Sequence, residues 1–75
     1  MPTKERTMEN IIKKYNLENS SLIKNALMES NNGVLIFLVD HARVSFTAAV
    51  ELILSVNPSI LHKNLEAYFY GEENV

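Results

Sequence analysis

Between Phe46 and Tyr70 two helical patterns are separated by residues that dictate a corner, and this punctuation constrains the fold more than any other feature of the chain. The segment reads FTAAVELILS, then VNPS, then ILHKNLEAYFY. Ser45 precedes the first pattern as a cap, and Phe46, Ala49, Val50, Ile53 and Leu54 then form one broad apolar face. Ala48 and Leu52 make the rest of this helix apolar as well, so it should be nearly surrounded, with Glu51 needing a gap to solvent or a basic partner. Asn57 is the expected cap of the next helix, and Pro58 occupies its first position, where a missing N–H costs nothing. That helix should turn Ile60, Leu61, Leu65, Tyr68 and Phe69 inward and His62, Lys63 and Glu66 outward, and stop at Gly71.

The first half of the chain is helical by the same reasoning. Met8, Ile11, Ile12 and Tyr15 follow helical spacing behind a candidate cap at Thr7, predicting a helix over 7–16 with Lys13 and Lys14 favourably near its C-terminal end. Asn16 and the Glu18, Asn19, Ser20 cluster interrupt it. Leu22, Ile23, Ala26 and Leu27 mark a second helix ending near Ser30, and Asn31, Asn32 and Gly33 form a turn in which Gly33 takes the left-handed conformation. Val34 to Val39, VLIFLV, reads as either a buried strand or a buried helix. A lone strand would need a partner from a second protomer, so a helix from Val34 to Ala42, with Leu35, Leu38, Val39 and Ala42 along one side, is the preferred reading. The expected fold is therefore a single all-α domain, a small bundle of four or five short helices ending in a helix-turn-helix-like hairpin, with frayed ends at 1–6 and 72–75.

A chain of 75 residues buries only about 60% of its unfolded surface. It contains no cysteine, so neither a disulfide nor a thiolate zinc site reinforces it. With 47% apolar residues, self-association into a homodimer is the expected way to cover the surplus. The longest apolar run falls far short of the roughly 20 residues that span a bilayer, and no leader-like apolar region follows the N-terminal charges, which implies a soluble, cytoplasmic protein without a membrane partner. The formal charge of −2 gives no bulk attraction to phosphate.

With Val56 at the apolar turn position, Val50, Leu54, Leu61 and Leu65 fall on buried positions of the helix-turn-helix family, so Arg43 to Leu65 resembles that motif in outline. Glu51 stands where that family places a small residue and Ser55 where it places a turn glycine. The resemblance implies a recognition helix beginning at Pro58 that offers Asn57, Ser59, His62, Lys63 and Glu66 to a DNA groove, with Arg43 adding charge.

Catalytic chemistry has little support. Asp40 and His41 are adjacent and point about 100° apart on a helix. The serines read as caps and turn residues, no glycine-rich phosphate loop is present, and His62 with Glu66 supplies only two metal ligands. No enzyme activity, metal or cofactor is expected. By contrast, Tyr68, Phe69 and Tyr70 in succession fan around a helix and cannot all enter one core. The reading is a small non-enzymatic regulator acting on a protein partner, with Phe37, Tyr68 and Tyr70 as anchors and Lys13, Lys14 and Arg43 as rim charges. The alternative is a DNA-binding transcriptional regulator.

Overall fold

The computed structural model describes residues 4–70. Among them are five α-helices and no strand: α1 (Lys4–Lys14), α2 (Ser20–Glu29), α3 (Val34–Asp40), α4 (Phe46–Val56) and α5 (Leu61–Tyr70), with a 3₁₀ turn at Pro58–Ile60 leading into α5. The all-α bundle is thus observed, and Val34 to Val39 is helix. Residues 1–3 and 71–75, including the expected stop at Gly71 and the tail at 72–75, lie outside the described residues. None of the described helices is long and apolar enough to cross a membrane.

Helix ends follow from local chemistry, with three corrections to the sequence reading. The first helix begins at Lys4, so Thr7 lies inside it and does not cap it. It closes at Asn16, whose φ of 55° places it in the left-handed region. There the Asn16 N–H donates to the Lys13 carbonyl at 3.1 Å and the Leu17 N–H to the Ile12 carbonyl at 2.8 Å, the paired bonds of a Schellman end. The second helix is closed by Ser30 at φ 56°, not by Gly33, which has φ −105° and precedes α3. The third ends at Asp40, two residues short of Ala42, and Arg43 at φ 60° redirects the chain toward α4. Ser45 caps α4 as expected, its Oγ accepting from the Ala48 N–H at 3.2 Å.

The core forms around α4, which packs on every other helix. Met8, Ile11 and Ile12 enter it from α1, Ile23, Ala26 and Leu27 from α2, and Val34, Leu35 and Leu38 from α3. From α4 the buried residues are Ala48, Ala49, Leu52, Ile53 and Val56. This rotates the helix relative to the expected face: Phe46 and Leu54 are exposed, and Val50 is half-buried. Two adjacent alanines let neighbouring helices approach closely, which selects the side a broad apolar pattern leaves open.

The last helix is docked through a polar residue. Its one fully buried side chain is Asn64, whose Oδ1 accepts from the Leu35 N–H at 2.7 Å. Its Nδ2 donates to the carbonyls of Asn31 at 3.1 Å and Ile60 at 2.9 Å. Gly33 gives α3 no side-chain cap, so α5 satisfies an orphan amide in the first turn of α3 from across the fold. Ile60, Leu61, Leu65 and Tyr68 are half-buried around this anchor, while Phe69, expected inward, is exposed.

Candidate functional site

Opposite ends of the last two helices meet in an aromatic cluster. Phe46, at the start of α4, has its ring 5.2 Å from that of Tyr68 and 5.9 Å from that of Phe69, near the end of α5. Tyr68 and Phe69 meet edge to face at 5.3 Å. These are favourable separations and angles for aromatic pairs, so the rings hold one another in place. The cluster nevertheless faces water: Phe46 is 37% exposed, Phe69 56% and the neighbouring Tyr70 60%. Sequence reasoning placed Tyr70 at the surface but assigned Phe46 and Phe69 to the core. For Phe69 the one signal available was the unbroken aromatic run from Tyr68 to Tyr70, which limits how many rings can be inward without saying which; Phe46 lies outside that run.

Phe37 occupies a different place. Its ring stacks on His41 at 5.1 Å, and it lines an open groove of about 350 Å³ between α2 and the start of α3, together with Leu22, Ala26 and Val34. Asn25, Glu29, Asn31 and Gly33 form the polar part of this groove. No ring contact among the described residues joins Phe37 to Tyr68 or Tyr70.

The residues proposed to read DNA are partly engaged within the fold. Asn57 makes no side-chain cap; its Nδ2 donates to Ser30 Oγ at 2.6 Å, and its Oδ1 accepts from Ser59 Oγ at 2.8 Å. His62 Nε2 lies 3.2 Å from Glu66 Oε2 across one helical turn. Lys63 and Arg43 are exposed, Arg43 in the loop before α4 and Lys63 on α5. Of the positions matched to the helix-turn-helix pattern, Val56 is buried, Val50, Leu61 and Leu65 are half-buried, and Leu54 is 50% exposed. No group of three His, Asp or Glu residues among those described is placed to hold a metal.

Glu51 finds the basic partner its position requires. Lys14 Nζ lies 3.0 Å from Glu51 Oε2, and the Tyr15 hydroxyl donates to Glu51 Oε1, fastening α1 to α4. The Tyr15 and Lys14 bonds hold the Glu51 carboxyl below the usual carboxylate range. The bond to Glu51 raises the Tyr15 phenol and, with its charge, the Lys14 ammonium. Similarly, Lys24 lies 2.9 Å from Glu9 and lowers its carboxyl. Two lysines otherwise available for a phosphate-binding face are thereby paired with carboxylates.

These shifts give stability a defined pH dependence. Stabilisation from the depressed Glu51 carboxyl is present above its unfolded value of about 4.3 and is lost as pH falls through the lower folded value. For Tyr15, raised on folding, the contribution is present below about pH 10 and is lost as pH rises through the higher folded value. Thermal melts across pH should show both flanks, and Glu51→Gln should flatten the acid one. An unchanged acid flank in that variant would remove this cluster as its cause.

Compared with known protein families, curated proteins and solved structures, the chain matches none. The functional reading therefore rests on its own residues.

Proposed function

We propose that this protein is a small non-enzymatic regulator that works through protein–protein contact, as a homodimer, using the aromatic end of the α4/α5 hairpin. One observation carries the reading: Phe46 and Phe69 expose rings that contact each other where α4 begins and α5 ends, and the adjacent Tyr70 is exposed as well. Water-facing aromatics that brace one another lose little further side-chain freedom on binding, which makes them effective anchors. A second copy would cover apolar surface that a domain of this size leaves over.

DNA binding through Asn57, Ser59, His62, Lys63 and Arg43 has weaker support. Ring contacts across the open end of the hairpin favour closed packing over the corner of about 90–120° in DNA-reading helix-turn-helix proteins. Lys14 and Lys24 are also matched with carboxylates, which thins the basic surface that phosphate contacts require. Molar mass by light scattering, with and without a generic duplex at low salt, separates the readings. The expected result is a dimer whose mass the duplex leaves unchanged. A DNA complex that added salt dissolves would transfer the function to the residues around Pro58.

A further inference from the structure

Asn32 stands immediately before Gly33 in the turn between α2 and α3, and both residues are exposed. Every other asparagine in the chain precedes a residue that carries a side chain. The difference is chemical, because a backbone nitrogen can attack the side-chain carbonyl carbon of a preceding asparagine, and a Cβ beside that nitrogen hinders the approach. The fold does not demand glycine here. Gly33 has φ −105°, open to any L residue, and a Cβ at this position would meet Asn31 Oδ1 at 3.6 Å, an ordinary contact.

Among the described residues, one hydrogen bond restrains the attacking nitrogen. The Gly33 N–H donates to Asn31 Oδ1 at 2.9 Å, so attack on Asn32 requires that bond to break. Asn31 is itself held from behind, since its backbone carbonyl accepts from the buried Asn64.

We propose that Asn32 is a site of spontaneous deamidation and that the Asn31 side chain slows it by holding the Gly33 amide. In this reaction the Gly33 nitrogen gives its proton to solvent and bonds to Asn32 Cγ. The bond from Cγ to the amide nitrogen breaks, that nitrogen takes up a proton and leaves as ammonia, and a five-membered imide remains. Water then adds to either imide carbonyl and opens the ring, leaving an aspartyl or an isoaspartyl linkage. One water is consumed and one ammonia released, with no change of oxidation state. Either product places a carboxylate beside the groove that Asn31 and Gly33 line. The isoaspartyl form also inserts a methylene into the main chain between the Asn31 carbonyl and the Leu35 N–H, the two points that Asn64 grips.

The test is ageing of the whole protein in mildly alkaline buffer, with peptide mapping by mass spectrometry. The peptide containing Asn32 should gain one mass unit before any other asparagine reacts. Asn31→Ala should accelerate the gain about fivefold, the rate equivalent of one ordinary hydrogen bond. Asn31→Asp, which keeps an acceptor oxygen in place, should stay near the parent rate, and Gly33→Ser should suppress the reaction. Amide exchange guards against a trivial explanation: in Asn31→Ala the Gly33 amide should exchange faster while that of Leu35, held by Asn64, is unchanged. Earlier reaction at another asparagine, an Asn31→Ala rate equal to the parent, or an undiminished rate in Gly33→Ser would overturn the proposal.

Discussion

Asn64→Ala is expected to lower stability by about 3 kcal/mol and the melting temperature by about 15 °C. Truncation removes three hydrogen bonds and leaves the Leu35 N–H buried without its acceptor. One unsatisfied buried group costs about 1–3 kcal/mol, and the space vacated beneath α5 adds a cavity term. Against a total stability of about 5–15 kcal/mol for a domain, this is a large fraction. Asn64→Asp separates chemistry from volume. It retains size and the acceptor for Leu35 but turns an oxygen toward the Asn31 and Ile60 carbonyls, so it should be as damaging as alanine at neutral pH. Thermal or urea melts measure both variants, and an aspartate variant as stable as the parent would show that the two donated bonds contribute nothing.

A paired substitution on α4 gives the second large effect. Leu52 is fully buried and Leu54 is half exposed, although they stand only two residues apart. Leu52→Ala should therefore cost about 3 kcal/mol through lost burial and the cavity it leaves. Leu54→Ala should stay within about 0.5 kcal/mol, as expected of a surface position. Equal losses in urea melts would mean that α4 presents the face first read from its sequence, with Phe46 and Leu54 in the core.

What the sequence made legible was local. Ser45 as a cap, Pro58 at the start of the last helical segment and Asn16 as an interruption each act through backbone groups a few residues away, and all three hold in the structure. The helical identity of Val34 to Val39 followed from the lack of any strand to pair with it. The orientation of α4 was not legible, because apolar residues lie nearly all round it and periodicity then fixes no single face. Asn64 was missed for a related reason. A polar residue within an amphipathic helix carries no mark of burial, and its partners at Asn31 and Leu35 are brought near only by the tertiary fold. The same limit applied to the candidate site: counting rings puts at least one of Tyr68, Phe69 and Tyr70 outside, whereas the exposure of Phe46 and Phe69 depends on how α4 and α5 meet. Gly33 was read as a left-handed helix terminator, and the structure gives that role to Ser30.

Protein contact through the aromatic end is tested most directly by molar mass from light scattering across a dilution series, comparing the parent with a Phe69→Glu, Tyr70→Glu double variant. Both side chains are exposed, so the variant should fold, as its circular dichroism will verify. A dimeric parent and a monomeric variant with unchanged helicity are expected. A parent that is monomeric throughout, or a folded variant that dimerises as the parent does, would contradict contact through the aromatic end.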